Sequence, residues 1–285
     1  MKQPNTYIQQ IEKLRSRGCM IPDVDFCKEV LANINYYRLS AYFLPYKTTN
    51  DKYLPNTNFN TIYQIYEFDR KLRALLFLAI EEVEITLRAR LAYFHANKYG
   101  ALGYKDAKNF NIRHRHEKFI ERINTVINDN KKVLFVRHHN EKYVGNFPIW
   151  VIIELFTFGM LSYFYADLPT ANQKIIAREI FQAVPKTLIS WLRCCTDLRN
   201  ICAHSGRLYY RIFTAIPSGL TTVPQDAERR LFGAVMSLQA LYLDAQKWNI
   251  EIYPALCVLL KEYAQDINLK HIGFSENWEV TLRKS

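Results

Sequence analysis

The alternation of apolar and polar residues along the chain predicts a protein built from α-helices. Long segments carry apolar residues at intervals of three and four, which places them on one face of a helix. Glycine is scarce, with 9 in 285 residues, and we find no internal repeat, low-complexity tract or flexible linker. The expected fold class is all-α. The predicted helices span residues 5–17, 23–38, 61–98, 147–166, 170–181, 185–205, 226–247 and 251–265.

Between these helices the sequence predicts loops at 44–60 and 217–224, and a polar, basic stretch at 100–146. Thr170 and Gln173 have the spacing of a capping box, which starts a helix. Within the helix at 61–98, Glu84 and Arg88 have the i,i+4 spacing of a favourable ion pair.

The segment from Pro185 to Gly206 differs from the other predicted helices because one of its faces is strongly polar. Proline is tolerated in the first turn of a helix, and Gly206 provides the stop. Its apolar face carries Leu188, Trp191, Leu192, Cys195, Leu198 and Cys202. At about 100° per residue, the opposite face carries Arg193, Asp197, Asn200 and His204.

The net charge indicates the type of binding partner, and the cysteine content indicates the redox compartment. The formal net charge is +11, from 38 Lys and Arg against 27 Asp and Glu, which favours a polyanionic partner, nucleic acid first. The alternative is a basic protein without such a partner. The 6 cysteines form no Cys-x2-Cys pair and suggest reduced, buried thiols of a cytoplasmic protein. No apolar signal region is expected at the N-terminus.

Residues 147–166 are apolar enough to suggest a membrane segment, but Glu154 lies near their centre. A central charge costs roughly 2.5–3.5 kcal/mol on insertion scales. We therefore expect a buried helix of an all-α domain and no membrane partner.

The polar face offers the chemistry of metal-free RNA cleavage. His204 lies at the negative end of the helix dipole, which favours the imidazolium form that a general acid requires. Arg199 supplies planar donors for a phosphate, and Asn200 can orient the ring or hold a substrate oxygen. Asp197 and Arg193 support the cluster. We expect no cofactor and no metal.

Arg199 presents a geometric difficulty, because it projects about 140° away from His204 on an ideal helix. Either the helix is distorted, or Arg199 reaches around it, or Arg199 is structural and pairs with a carboxylate. One of Glu81, Glu82 and Glu84 is then the candidate partner.

Other residues suit contact with RNA, since aromatic and Arg side chains stack on unpaired bases. Arg207, Tyr209, Tyr210 and Arg211 follow the His204 helix directly. The tyrosines are equally compatible with a core role. Arg38 lies in the Asn35-Tyr36-Tyr37-Arg38 block, for which an aromatic core is the simpler interpretation. Arg113 and Arg115 alternate with histidines in the basic stretch and are expected at the RNA backbone or on a solvated face.

Four blocks of the chain together resemble a known family. Arg-x4-His with Asn after the Arg is similar to the signature of HEPN ribonucleases, and the wider pattern resembles the Abi-like (abortive infection) family. The blocks are Leu14–Gly18, Ile34–Ser40, Phe147–Trp150 with Phe158-Gly159, and Leu198–Leu208.

The resemblance implies a single all-α Abi-like domain at 1–285, with an N-terminal helical part at about 1–59, a HEPN-like core at about 60–215 and C-terminal helices at about 225–285. It further implies a metal-independent endoribonuclease toxin of anti-phage defence. Its site would be composite across a homodimer, with Arg199, Asn200 and His204 catalytic, and a small regulatory RNA is a possible partner. The alternative is a non-catalytic RNA-binding or signalling module in which Arg199 and His204 are structural.

Overall fold

The computed structural model describes residues 3–284, and the all-α prediction is confirmed. Within that range there is no β-strand, and only the isolated bridges Met20–Asn58 and Lys47–Tyr53 pair extended backbone. The α-helices are α1 (Tyr7–Ser16), α2 (Val24–Asn33), α3 (Tyr36–Ser40), α4 (Phe59–Tyr99), α5 (His116–Asp129), α6 (Leu134–Lys142), α7 (Ile149–Ile152), α8 (Phe158–Asp167), α9 (Thr170–Phe181), α10 (Pro185–Ala203), α11 (Leu231–Leu241), α12 (Ala245–Lys247), α13 (Tyr253–Glu262), α14 (Leu269–Ile272) and α15 (Trp278–Leu282).

Helix α4, with 41 residues, is the longest element, and α7, α8, α10, α11 and α13 pack along it. It begins at the Asn58 cap, whose side chain accepts a hydrogen bond from the Asn60 amide at 2.9 Å. It ends at Gly100, which has a φ of +79° that favours glycine. Its apolar stripe is buried throughout, as the spacing predicts.

Helix α10 lies between α4, α8, α9 and α11. Pro185 occupies its first turn, as predicted, whereas its last helical residue is Ala203, two residues before the predicted end, so that His204 caps the helix. Leu188, Leu192 and Leu198 are fully buried, and the Trp191 indole donates to the Ser218 carbonyl oxygen at 3.0 Å. The apolar face of α10 is thereby fixed in the core, which leaves its polar face outward.

Two predictions around α8 and α9 are wrong. Residues 147–166 do not form one helix, because Phe156 and Thr157 are extended and the Thr157 side chain caps α8, 3.3 Å from the Met160 amide. The capping box of Thr170 and Gln173 does not form either. The Gln173 amide instead donates to the Ala166 and Leu168 carbonyl oxygens at 2.7 and 3.0 Å.

The C-terminal helices are shorter than their apolar patterns predict. The residues expected as one helix at 226–247 form α11 and the short α12, and the helix expected at 251–265 is α13 preceded by a π-helical turn at Trp248–Ile252. Buried residues from Ile11 in α1 to Leu282 in α15 belong to one hydrophobic core. The thiols are unpaired, and all but the half-buried Cys257 are buried. No helix within residues 3–284 is long and apolar enough to cross a membrane.

Candidate functional site

His204 is exposed at the C-terminal cap of α10. Its backbone amide donates to the Asn200 carbonyl oxygen at 3.1 Å, and Asn200 is itself exposed one turn earlier. The chain then reverses through Ser205, at a φ of +53°, and the Gly206 amide donates to the Ile201 carbonyl oxygen at 2.7 Å. A side chain at Gly206 would lie 3.0 Å from the Ile201 Cγ2, so this close reversal favours glycine.

A buried carboxylate holds the segment that follows His204. Asp69 of α4 has no exposed surface and accepts hydrogen bonds from the Leu208 amide at 3.1 Å, the Tyr209 amide at 2.7 Å and the Tyr42 hydroxyl at 2.7 Å. It also pairs with Arg73, which donates to the Gly206 carbonyl oxygen at 3.2 Å. Burial raises the pKa of the Asp69 carboxyl, and the converging donors oppose that shift.

A signal for this pair is present in the amino-acid sequence, and our prediction missed it. Asp69 and Arg73 are spaced i,i+4 on the apolar stripe of α4, directly after Phe68 and Leu72 respectively, where a charge is not expected. Charged residues on a buried stripe require partners. Those partners come from a segment about 140 residues away in the chain.

Two of the predicted RNA-binding arginines lie close to His204. The exposed Arg38 of α3 donates to the carbonyl oxygen of Ser205, the residue after His204. Arg207 is half-buried and donates to the Tyr209 carbonyl oxygen, and burial lowers the pKa of its guanidinium. Arg38 therefore extends the positive surface beside His204, whereas Arg207 mainly braces the loop.

Arg199 points toward α4, and one of the candidate carboxylates of that helix, Glu84, lies close to it. Its Nε lies 3.7 Å from Oε2 of Glu84, and Glu84 also accepts a hydrogen bond from Arg88, as the i,i+4 spacing predicts. Arg88 is fixed further by donating to the Phe156 carbonyl oxygen at 2.9 Å. The Arg199 Nη1 reaches the Asn200 Oδ1 at 3.5 Å, the limit of a hydrogen bond.

Asp197 and Arg193 line a groove along the exposed face of α10. The Asp197 Oδ2 accepts from the Thr214 hydroxyl at 2.8 Å and from the Ala215 amide at 3.3 Å. Arg193 is exposed, and Arg211 lines the end of the groove nearest Asn200. The structure therefore brings Arg193, Asp197, Asn200 and Arg211 to one surface.

The two tyrosines of the predicted RNA-binding set have different environments. Tyr209 is fully buried, its hydroxyl within 2.8 Å of the His271 Nδ1, so the core interpretation holds and its ring is not available to a base. Tyr210 is half-buried at a φ of +55°, and the Arg230 guanidinium lies 5.1 Å from its ring centre.

Arg113 and Arg115 are exposed and lie far from His204 in the sequence. Between them, His114 is bound to Asp167 at 2.9 Å and stacked on Phe110 with ring centres 4.0 Å apart. Asn111, two residues before Arg113, donates to the Ala166 carbonyl oxygen at the end of α8. Among residues 3–284, no three His, Cys, Asp or Glu side chains are placed to hold a metal ion.

The cysteines beside the site are not nucleophiles. Burial raises the pKa of the Cys202 thiol to about 12, and that of Cys194 likewise to about 12. Both thiols are therefore neutral near pH 7.

A sequence profile described as "Abi-like protein" matches residues 29–210, which include Arg38, α4, α8 and all of α10. The comparisons with curated proteins and with solved structures gave no significant match.

Proposed function

The chain belongs to the Abi-like protein family, and from that membership and the surface around His204 we propose that it is a metal-independent endoribonuclease acting in abortive-infection defence. The observation that carries the proposal is the exposed imidazole of His204 at the end of α10, with Asn200 one turn earlier and Arg38 bound to the next residue. A proton-transfer group beside fixed cations and amides suits phosphodiester cleavage.

The reaction needs proton transfer at two oxygens. A base removes the proton of the ribose 2′-hydroxyl, whose oxygen attacks the phosphorus. The bond to the 5′-oxygen breaks, an acid protonates that oxygen, and the products carry a 2′,3′-cyclic phosphate and a 5′-hydroxyl. Arg199 and Arg38 would stabilise the charge that builds on the phosphate, and Asn200 would orient the imidazole or the substrate.

One imidazole cannot serve as base and acid in the same step. We therefore propose that the active form is a homodimer, in which His204 of one chain and His204 of the partner subunit face a shared phosphate. Each chain would contribute an Arg199, so the Arg of one chain can act near the His of the other. This arrangement removes the difficulty that Arg199 and His204 point about 140° apart on one helix.

The basic surface supports RNA as the substrate. The net charge is +11, and Arg38, Arg193, Arg113 and Arg115 are exposed. Arginine is the side chain best suited to phosphate because its donors are planar and permanently charged. Such a surface also fits a small regulatory RNA, which we propose as a second partner.

The proposal is tested by incubating total RNA and isolated tRNA with the wild-type chain and with His204→Ala, in EDTA. We expect the wild type alone to cleave, leaving 2′,3′-cyclic phosphate ends. His138→Ala is the matched control, since His138 is an exposed histidine on α6. The proposal of an enzyme would be contradicted if the wild type and both variants fold and bind RNA but leave it intact.

The second candidate is a non-catalytic RNA-binding or signalling module. The contact of Arg199 with Glu84 favours it, because a paired Arg is less available to a phosphate. In that case His204→Ala and the wild type would bind RNA equally and neither would cleave it.

A further inference from the structure

The groove on the exposed face of α10 continues beyond the residues that the proposed chemistry uses. It consists of a depression of about 340 Å³ and an adjoining one of about 200 Å³, which share Asp197 and Thr214. The smaller depression reaches Asn200 and Arg211, the end nearest His204. The larger one lies between α8 and α10, so a strand of RNA passing His204 has a path along α10 into it.

The larger depression, here called the α8–α10 depression, presents one aromatic ring to solvent. Tyr163 of α8 is 70% exposed, although its neighbours Phe164 and Tyr165 are buried. Exposure of this extent leaves a face of the ring free for a flat ligand. At about 30 Å³ per water molecule, 340 Å³ is room for a purine-sized group.

Asp197 is the polar group aimed into the same depression. Its Oδ2 is fixed by Thr214 and Ala215, whereas its Oδ1 has no hydrogen-bond partner within residues 3–284. A carboxylate offers about four acceptor positions and no donor. Oδ1 therefore remains to accept hydrogen bonds from N–H donors of a ligand.

The exposed ring of Tyr163 and the free Oδ1 of Asp197 together determine which base the depression prefers. Aromatic rings stack on any unpaired base, but a carboxylate favours a base that presents adjacent N–H donors. On the Watson–Crick edge, guanine presents its ring N1–H next to its amino group, whereas uracil presents one N–H between two carbonyl oxygens that repel a carboxylate. Arg193, exposed at the same depression, is placed for the phosphate of that nucleotide.

We infer that the α8–α10 depression binds an unpaired guanine of the RNA substrate, stacked on Tyr163 and recognised by Asp197. Asp197 and His204 are seven residues apart, about 10 Å along the helix axis. The guanine therefore belongs to a nucleotide close to the scissile phosphate. The inference rests on the proposed function, since it takes the RNA past His204. It adds a specificity determinant that the cleavage chemistry does not require.

The test compares cleavage positions on a random single-stranded RNA pool for the wild type, Asp197→Asn and Tyr163→Ala, with the full chain throughout. We expect guanine to be enriched near the cut with the wild type. Asp197→Asn should reduce the guanine preference by about tenfold, and Tyr163→Ala should weaken cleavage of all sequences. Tyr7→Ala, an exposed tyrosine of α1, is the control and should change neither.

A binding measurement separates this inference from the proposed function. His204→Ala should bind a short guanine-containing oligonucleotide about tenfold more tightly than its uracil counterpart. Inosine, which lacks the amino group, should be intermediate, and Asp197→Asn should abolish the difference. If the wild type does not cut RNA but this pattern appears, the inference stands and the nuclease fails. The inference is overturned if the wild type and Asp197→Asn show the same base preference. It is also overturned if Tyr163→Ala has a changed oligomeric mass, because the ring would then belong to a subunit interface.

Discussion

The Nε of Arg199 on α10 lies 3.7 Å from Oε2 of Glu84 on α4, and Glu84 is at the same time hydrogen-bonded to Arg88. The two arginines thus share one carboxylate, and Arg88 is bound to it more closely than Arg199. Arg88 makes a direct bond within α4 and a second one to Phe156, whereas Arg199 is held mainly by charge. An Arg held this weakly can turn toward a phosphate at small cost.

Double-mutant cycles should measure the inequality. We expect a coupling free energy of about 1 kcal/mol between Glu84 and Arg88, and less than about 0.5 kcal/mol between Glu84 and Arg199. The measurement is urea unfolding of Glu84→Gln, Arg88→Met, Arg199→Met and the two double variants. A larger coupling for Arg199 than for Arg88 would make Arg199 a structural residue.

Substitution of Asp69 should destabilise the fold strongly. Asp69→Asn leaves the buried Arg73 without its carboxylate, and breaking a buried pair in this way costs about 3–5 kcal/mol. Tyr42→Phe removes a single hydrogen bond to Asp69 and should cost about 1 kcal/mol. Chemical denaturation of the two variants and the wild type measures both changes.

The control for Asp69 is Asp51→Asn, because Asp51 is about half exposed and its pairs with Arg17 and Lys47 lie on the surface. Exposed pairs contribute little, so we expect a much smaller loss of stability than for Asp69→Asn. Equal effects of Asp69→Asn and Asp51→Asn would mean that the buried pair does not hold the loop after His204.

The stability of the fold should fall in mild acid because of His95. This side chain is fully buried, neither ring nitrogen has a hydrogen-bond partner within the described residues, and burial lowers its pKa from 6.5 to about 4. Between pH 6.5 and about 4 the unfolded chain binds a proton that the folded chain does not, so the free energy of unfolding decreases as the pH falls. The loss amounts to at most about 3 kcal/mol.

His95→Leu removes this titration at similar volume. Chemical unfolding at several pH values should show the wild type losing stability relative to the variant below pH 6.5, with the difference levelling off below about pH 4. Parallel stability curves for the two proteins would contradict the assignment of the effect to His95.

Local sequence patterns predicted the helices because burial of one face dictates the spacing of apolar residues. The boundaries of α10 follow from Pro185 and Gly206 in the same way. The break at Phe156 and Thr157 was not predicted, since the apolar run continues through it and only the capping by Thr157 marks a new helix. Apolar content alone does not distinguish one buried helix from two.

At the candidate site, what the sequence predicted was local to one helix. The polar face of α10 follows from helical geometry, and the same geometry excludes Arg199 from that face, which is why a carboxylate partner was expected for it. The contact of Arg38 with Ser205 joins residues 167 positions apart, and the Asp69 cluster joins α4 to the loop after His204. Such contacts depend on the packing of helices, which spacing within one segment does not determine.

The response of RNA binding to salt should distinguish residues that contact phosphates from those that contact bases. Each phosphate contact on single-stranded RNA contributes about 0.7 to the slope of log K against log salt. Arg113→Ala should lower the slope by about that amount and weaken binding of all sequences alike, because Arg113 is exposed next to the segment that docks on α8. Arg70→Ala, on an exposed pair with Glu67, should leave it unchanged.

Arg199→Lys should reduce cleavage by about a hundredfold while Glu84→Gln changes it by less than about threefold. Lysine keeps the charge but loses the planar pair of donors that fits a phosphate, and removal of one such donor typically costs a factor of this size. Glu84 contacts Arg199 only across 3.7 Å, so its loss frees a side chain that was weakly held. Single-turnover cleavage of tRNA by the two variants decides between the roles: if Arg199→Lys cuts as fast as the wild type, Arg199 acts through the fold and the phosphate is bound by Arg38 or Arg193.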